Sequence, residues 1–251
     1  MIRAQLTPPQ CNGPGCSSEA LIKAHIMPAG FARGMHRPGG YNVGLSNDGA
    51  HRARYQLGKF DKTILCGDCD RILGKLDDFA LSFSRSVLPP AAIGQVGSIP
   101  GVDCDKLVAF ATSVIWRASL STDPSFAEIS LGPLSDRARD ISFGAAAEAF
   151  PVIVNRLASP DYDVGAFYVE PIRRKLGDNN TYTFNIGGFQ WFVLADSRPV
   201  PLKLRQLVVN GSTELRSLAV PLERTTEFVG MRQIADRVRR VQATDRTTHR
   251  E

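Results

Sequence analysis

The sequence predicts an α+β protein in which a small cysteine-rich N-terminal domain packs on a larger domain of helices and antiparallel strands. Four of the five cysteines fall in two close pairs in the first third of the chain. A strongly apolar helical stretch at 105–119 follows a segment rich in Pro, Gly and Ser, which is the best candidate for a linker. Beyond Pro151, several short segments read as strands. We therefore expect domains at residues 1–90 and 101–251.

The cysteine pairs have the spacing of a tetrahedral zinc site. Cys11 and Cys16 are separated by four residues, and Cys66 and Cys69 by two. Each pair fits one tight turn that directs two sulfurs to one point, and a metal ion would join the two turns. We therefore expect a structural Zn²⁺ held by these four residues. The alternative is four free thiols that fall in pairs by chance, and the fifth cysteine, Cys104, is expected to be a simple thiol.

Composition and charge narrow the class of protein. Hydrophobic residues make up 43% and charged residues 22% of the chain, which is ordinary for a globular protein. The first residues lack the apolar core of a secretion signal, and no apolar run is long enough to span a bilayer, so we expect no membrane association. An odd cysteine count with metal-like spacing favours the reducing cytoplasm over a disulfide framework. The net charge of +5, carried mainly by Arg, permits contact with nucleic acid.

The pattern of apolar residues, turn residues and prolines predicts the order of the elements. After the first cysteine pair we expect a short strand or turn that carries His25, and then an irregular Gly-rich loop over 28–58. A helix over 69–83 begins at the second pair, and Gly187-Gly188 is a hairpin signal. The other expected helices are 105–119, 135–150 with Ser135 as N-cap, and 223–241. The expected strands are 60–65, 152–154, 164–171, 182–186, 189–195 and 206–209.

Two residues beside the cysteine pairs are candidates for catalysis. His25 lies between the pairs and is flanked by apolar residues, whereas Asp70 directly follows the second pair, at the start of the expected helix. An imidazole can act as a general base near neutral pH, and a carboxylate oxygen can bind a hard cation such as Mg²⁺. Asp77, two helical turns later, is either a second ligand or a solvated side chain. For His25 the alternatives are a hydrogen-bonded core histidine and a replacement zinc ligand.

These residues together resemble the motif of the HNH endonucleases, the ββα-metal class. That family has a cysteine pair, then Asp-His-Ile-x-Pro, a loop with Gly-Gly and Asn, and Leu-Cys-x-x-Cys followed by Asn or His at the head of a helix. The matching residues here are Cys11, Cys16, His25-Ile26-Met27-Pro28, Gly39-Gly40, Asn42 or Asn47, and Leu65-Cys66-Gly67-Asp68-Cys69. The resemblance implies a zinc-stabilised, HNH-like ββα N-terminal domain. It also implies that His25 deprotonates a water for attack on a phosphodiester, with one Mg²⁺ or Mn²⁺ at the scissile phosphate.

Two positions depart from the family pattern. Ala24 stands where the family has a metal-binding Asp and cannot bind a cation, and Asp70 replaces the family's Asn or His. Roughly the first 140 residues also resemble a largely uncharacterised bacterial and phage-encoded group, with Ser-His-Ile-Ile-Pro, Cys-x-x-Cys-Glu with a later Glu, and a helix ending in Trp-Arg-Ala. The matching residues are His25-Ile26-Met27-Pro28, Cys66, Cys69, Asp70, Asp77, Ile115-Trp116-Arg117-Ala118-Ser119, Phe126 and Leu131-Gly132. This resemblance implies an HNH-like zinc domain joined to a family-specific α+β partner.

Arginines are the candidate contacts with nucleic acid. Arg52 and Arg54 lie beside His51 and are expected to meet phosphate groups. The end of the last predicted helix is also rich in arginine, at Arg232, Arg237, Arg239 and Arg240. This helix indicates nucleic-acid binding only if it shares a face with the loop arginines Arg33, Arg37, Arg52 and Arg54; otherwise it is a solvated face. Farther back in the chain, Trp116 and Arg117 are expected to pack and pair in the core.

Two functions are consistent with the sequence. The first is a metal-dependent HNH-like nuclease that hydrolyses DNA, as a defence or phage-associated effector. The second is a catalytically inactive zinc-knuckle module that binds nucleic acid or a protein partner. His25 with Asp70 favours the first function, and Ala24 favours the second.

Overall fold

The fold is α+β, as predicted. The computed structural model describes residues 9–34, 42–45, 52–55, 58–86 and 92–248. The helices are α1 (Ala29–Gly34), α2 (Gly67–Arg85), α3 (Cys104–Leu120), α4 (Ser135–Ser142) and α5 (Thr226–Thr248). The strands are β1 (Ala24–His25), β2 (Asn42–Leu45), β3 (Arg52–Tyr55), β4 (Phe60–Asp61), β5 (Val96–Pro100), β6 (Val152–Ala158), β7 (Val169–Leu176), β8 (Asn179–Ile186), β9 (Phe189–Val193) and β10 (Glu214–Pro221). None of the described helices is long and apolar enough to cross a membrane.

The N-terminal elements form two small antiparallel pairs and a helix. β1 pairs with β4, and β2 pairs with β3 as a hairpin inserted between them. The prediction of an irregular loop over 28–58 is wrong within the described residues, because α1 and this hairpin lie there. Backbone hydrogen bonds form the hairpin, so it needs no apolar periodicity in its sequence. The strand predicted over 60–65 is shorter, since the Asp61 carboxylate accepts from the N–H of Thr63 and turns the chain.

A six-stranded sheet dominates the C-terminal part, in the order β5-β10-β6-β9-β8-β7. The sheet is mixed and not purely antiparallel as predicted, because β10 runs parallel to β6 while it pairs antiparallel with β5. The predicted hairpin at Gly187-Gly188 is confirmed as the turn between β8 and β9. A Cβ at Gly187 would lie 2.6 Å from Phe31 Cε1 and 2.8 Å from Ser84 Cβ, so the absent side chain lets this turn approach α1 and α2.

Several predicted boundaries in this part are wrong. Residues 206–209 fall in and after a 3₁₀ helix, Leu202–Leu207, and only a single bridge from Val208 reaches the sheet. Within 164–171, the chain first makes a 3₁₀ turn, and β7 begins at Val169. α4 ends at Ser142 and not at residue 150, because the Ala145 N–H bonds back to the Asp140 carbonyl and closes the helix. Ser135 is the first helical residue after a 3₁₀ turn and caps nothing.

The apolar core is continuous across the two predicted domains. α3 is buried along almost its whole length and packs against both α2 and the sheet. The Phe110 ring of α3 lies 6.3 Å from Phe31 of α1 and 5.1 Å from Trp191 of β9. The expectation that Trp116 and Arg117 lie in the core is confirmed, since each is only 1% exposed. α3 is therefore the element that joins the N-terminal segment to the sheet, and it carries Arg117 toward His25.

Candidate metal centre and catalytic pocket

The four paired cysteines converge on one point. Their sulfurs all lie within 4.8 Å of one another, and Sγ of Cys16 and Sγ of Cys66 are 3.7 Å apart. In a tetrahedral Zn²⁺ site with metal–sulfur bonds of about 2.3 Å, neighbouring sulfurs are separated by roughly 3.8 Å. Cys104 is buried in α3, away from the cluster. Within the described part of the chain, this is the only group of three or more potential ligands that could hold a metal ion.

Backbone contacts bring the two cysteine turns together. The N–H of Asn12 donates to the Ile64 carbonyl at 3.0 Å, and a single antiparallel bridge joins Leu21 to Cys66. The first turn is closed by the N–H of Gly13, which points to the Cys11 sulfur at 3.4 Å. A Cβ at Gly13 would overlap the Cys69 sulfur, so only glycine fits at this position. The chain is thus folded around a space that four sulfurs share.

The environment of the sulfurs suits a thiophilic cation. The backbone N–H of Cys69 lowers the pKa of the Cys66 thiol to about 7. Burial, in contrast, raises the pKa of the Cys69 and Cys11 thiols. A divalent cation offsets the cost of burying neighbouring thiolates, and zinc prefers such ligands. The cluster is therefore compatible with a structural zinc, which when bound would hold the two turns together.

A second site lies at the first turn of α2, where His25 and Asp70 share a pocket of about 250 Å³. β1 supplies His25, α1 supplies Arg33, and α2 supplies the acids. The lining residues are His25, Pro28, Ala29, Gly30, Arg33, Asp70, Gly74, Asp77, Asp78, Leu81 and Arg117. Two strands and a following helix, β1, β4 and α2, thus form the frame that brings together two residues 45 positions apart in the sequence.

The charges around the pocket act on His25 and Asp70 in opposite directions. Burial lowers the pKa of His25 from its ordinary value of 6.5; Arg117 and Arg33 lower it further, whereas Asp70 and Asp77 oppose the change. Burial raises the pKa of Asp70, and Asp77 adds to this effect while Arg117 and His25 oppose it. His25 is therefore mainly neutral near pH 7, which is the form that can accept a proton. Its ring also lies edge-on to the ring of Phe60, with 6.3 Å between centroids.

Asp77 is not a free ligand in this pocket. Arg117 Nη1 donates to Asp77 Oδ2 at 2.9 Å, and Nη2 donates to Oδ1 at 2.8 Å. The same Nη1 donates to the backbone carbonyl of His25 at 3.0 Å. The sequence predicts that Arg117 pairs in the core but does not indicate with which residues. Nothing local could have revealed them, because Arg117 is separated from Asp77 by 40 residues and from His25 by 92.

No described carboxylate takes the place of the aspartate that the HNH motif has at the position of Ala24. Ala24 is fully buried and lies opposite Asp61 in the β1–β4 pair, whereas His25 lies opposite Phe60 on the other side of the ladder. Both Asp61 oxygens accept hydrogen bonds, from Thr63 on one side and from two residues after α3, Ser121 and Thr122, on the other. Asp61 is also not among the residues that line the pocket. Asp61 therefore joins β4 to the end of α3.

Part of the predicted nucleic-acid surface lies outside the described residues. Arg52 and Arg54 belong to strand β3, but their side chains are not described, and Arg37, His36, His51, Gly39-Gly40 and Asn47 lie outside entirely. Asn42 opens β2, and its side chain is likewise not described. β2 contacts α5, so the backbone places the β2–β3 hairpin beside the arginine-rich helix. Arg232, Arg237 and Arg240 are exposed on that helix.

The pocket offers the imidazole of His25, a carboxylate at the start of α2 and the exposed guanidinium of Arg33; the Arg117 guanidinium also lines the pocket but is buried and paired with Asp77. These groups can accept a proton from water, bind a hard cation and attract an oxyanion. The zinc-compatible cluster and the pocket occupy neighbouring parts of one segment, since Cys69 and Asp70 are adjacent on α2. No known protein-family model, curated protein or solved structure matches the chain.

Proposed function

We propose that the protein is a metal-dependent, HNH-like nuclease that hydrolyses phosphodiester bonds of DNA. The observation that supports this most is that His25 and Asp70, which the sequence motif marks as base and metal ligand, line the same pocket. In their frame, β1 and β4 pair antiparallel and α2 follows β4, while α1 and the β2–β3 hairpin lie between the two strands in the chain. The four-cysteine cluster at the start of α2 supports the further proposal that this segment is a zinc-stabilised, HNH-like domain.

In the proposed reaction, His25 accepts the proton of the attacking water. Its lowered pKa keeps the imidazole neutral near pH 7, and its place in β1 fixes the ring beside Phe60. Arg33 is exposed at the rim of the pocket and attracts the phosphate of the approaching strand. Asp70 holds the divalent cation. Mg²⁺ or Mn²⁺, when bound, would neutralise charge on the scissile phosphate and the leaving oxygen.

The donor set fits such a cation with few protein ligands. Asp70 provides an anionic oxygen, and Asp78 is exposed on the same helix at the pocket wall. Mg²⁺ commonly binds through one or two carboxylates and completes its shell with water and substrate phosphate oxygens. Because Ala24 contributes nothing and Asp77 is paired with Arg117, the cation is expected to bind weakly without nucleic acid. Activity should therefore require a high, millimolar-range concentration of Mg²⁺ or Mn²⁺.

The second candidate function is a zinc-knuckle module without catalysis that binds nucleic acid or a protein partner. Two observations favour it: Ala24 is buried where the family has a metal ligand, and the Asp77 carboxylate is fully engaged by Arg117. This module would use the same β2–β3 hairpin and α5 as its contact surface. The two functions differ in whether the pocket turns over substrate.

Nicking of supercoiled DNA in Mg²⁺ or Mn²⁺ separates these functions. Wild-type protein should nick the plasmid, and His25→Ala and Asp70→Ala should each abolish nicking while zinc content and thermal unfolding stay at the wild-type level. Asp68→Ala is the matched control for Asp70, because Asp68 lies on the same first turn of α2 but is exposed and outside the pocket. If wild-type protein leaves duplex DNA, single-stranded DNA and RNA intact in both metals, the nuclease proposal is wrong and the binding module remains.

A further inference from the structure

We infer that Arg117 and Asp77 are positioning residues, which orient His25 in the pocket through a hydrogen bond from Arg117 to the His25 backbone carbonyl. This inference rests on the proposed function, in which His25 is the base. The two residues form a planar, bidentate ion pair, and the same guanidinium nitrogen, Nη1, also donates to the His25 carbonyl at 3.0 Å. Three separate elements, β1, α2 and α3, therefore meet at one guanidinium group.

The guanidinium has a complete set of partners. Nε donates to the Ser113 carbonyl at 3.3 Å, and Nη2 lies 3.4 Å from Ser113 Oγ in addition to its bond with Asp77. The Arg117 side chain is 1% exposed and that of Asp77 15%. A buried arginine with this many fixed bonds has one orientation only, since the planar fork cannot turn without breaking several bonds at once. Arg117 is thus a rigid reference point within α3.

β1 needs such a reference point. It is two residues long, and its strand partner β4 is equally short. A pair of this length has few ladder bonds, so the orientation of His25 depends on contacts outside the ladder. On one side, the Ile26 N–H donates to the Lys59 carbonyl at 3.1 Å. On the other, the His25 carbonyl accepts from Arg117, and this contact ties β1 to the core.

The pair also has an advantage over either charge alone. An unpaired arginine beside His25 would disfavour the protonated imidazole, and an unpaired aspartate would favour it, as the charges of Arg117 and Asp77 do individually. Asp70 from α2 and Arg33 from α1 also face His25 and act on it in opposite directions. Because Arg117 and Asp77 carry opposite charges, their effects on the imidazole partly offset each other while the pair holds the base in place.

The test replaces the pair without leaving a buried charge. Removal of one partner alone would leave the other charged and unpaired in the core and would unfold the protein. The double variant Arg117→Met with Asp77→Leu keeps the apolar volume and removes both charges. Arg117→Lys is the conservative single variant, since it keeps a charge that can reach Asp77 but lacks the planar fork. The matched control is Arg71→Met with Asp68→Leu, an exposed ion pair on the same helix.

Two readouts are measured on each full-length protein: plasmid nicking in Mg²⁺, and NMR of His25, including nuclear Overhauser contacts between its ring and the Phe60 ring. In the double variant we expect kcat to fall about 100-fold, the effect of a misplacement of about 1 Å, with KM for DNA unchanged. The His25–Phe60 contacts should weaken, while zinc content and thermal unfolding are retained. The Arg117→Lys variant should have a kcat between those of the wild type and the double variant. The control variant should match the wild type in both readouts.

The NMR readout separates this inference from the proposed function. If wild-type protein does not cleave DNA, but the double variant alone loses the His25–Phe60 contacts, positioning stands and the nuclease proposal fails. If the double variant folds and its His25 resonances and contacts equal those of the wild type, the positioning role is refuted, whatever the activity. Unchanged kcat in a folded double variant of an active protein would refute it equally.

Discussion

Asp61→Asn is the substitution that best tests how the pocket frame is stabilised. Five donors converge on the Asp61 carboxylate: the N–H and Oγ1 of Thr63 at 2.8 and 2.6 Å, Ser121 Oγ at 3.0 Å, and the N–H and Oγ1 of Thr122 at 2.7 and 3.0 Å. Asn keeps the shape of the side chain but exchanges one acceptor oxygen for an NH₂ donor. Some of these donors would then lose their partner at a side chain that is only 5% exposed.

The size of the effect follows from the pKa of Asp61. Burial alone would raise that pKa, but the hydrogen bonds from Thr63 and Thr122 outweigh it and lower the pKa from 3.8 to about 2. Each pKa unit corresponds to about 1.4 kcal/mol, so the ionised carboxylate contributes roughly 2–3 kcal/mol to the free energy of unfolding at pH 7. For a chain of this length, that loss lowers Tm by roughly 5–10 °C.

The pH dependence has a definite sign. The pKa of Asp61 is lower in the folded than in the unfolded state, so the stabilisation is fully present above pH 4 and is lost as the pH falls from about 4 to about 2. The stability difference between wild type and Asp61→Asn should shrink across the same window. Because acid would also release a metal bound by the cysteine thiolates of either protein, the difference between the two proteins is the quantity to follow.

Urea unfolding at pH 7, and at steps between pH 4.5 and 2, measures this difference. Asp68→Asn is the control, because Asp68 is exposed and its loss should leave the free energy of unfolding close to that of the wild type. The reasoning would be refuted if Asp61→Asn unfolds at the same urea concentration as wild type at pH 7. A difference that does not change between pH 4.5 and 2 would also contradict it.

Three further outcomes are expected. One zinc should copurify per chain. The Cys66→Ala variant should lose this zinc and become protease-sensitive in the N-terminal part, whereas Cys104→Ala should keep it. Elemental analysis that finds no zinc, or a disulfide within a cysteine pair, would contradict this. DNA binding should weaken steeply with salt and independently of sequence, and replacement of Arg52 and Arg54 by Ala should flatten that dependence in a fluorescence titration. In a pH profile of the nicking rate, activity should fall on the acid side with a midpoint below pH 6.5. The reason is that the pKa of His25 is lowered and activity is lost as this base becomes protonated. A midpoint above pH 6.5 would argue against His25 as the base.

The features that were predictable from sequence are those with a local signal. The cysteine pairs, the apolar stripe of α2, the continuous apolar run of α3 and the Gly187-Gly188 hairpin each depend on residues close together in the chain. The mixed sheet gave no such signal. β5 contains Gly97 and Pro100, which are tolerated because it is an edge strand, yet in the sequence they resemble a linker. β10 buries Ser217 and Ala219 in positions where a strand pattern would lead one to expect large apolar residues.

The candidate site also contains residues with a local signal in the sequence and residues without one. The motif around His25 and Asp70 is visible in the sequence, and the two residues line one pocket. The role of Asp77 was left open in the sequence, because a carboxylate on the same helical face as Asp70 is equally suited to bind a cation, an arginine or water. In the structure, Arg117 of α3 forms an ion pair with Asp77, so the partner of Asp77 is an arginine. The sequence does not single out Asp61, because three of its five donors follow a helix about 60 residues away.

The position of β10 in the sheet has a consequence for how the chain folds as it is synthesised. Among the described strands, β10 is the last to be made, yet it lies between β5 and β6 in the sheet. It is also the only described strand that pairs with β5. Until residues 214–221 leave the ribosome, β5 and one side of β6 expose unpaired N–H and C=O groups, which are prone to associate with other chains. Closure of the sheet joins segments more than 100 residues apart and is therefore slow. The nascent chain should thus depend on chaperones until late in translation, and ribosome-bound chains that stop before residue 214 should aggregate on release.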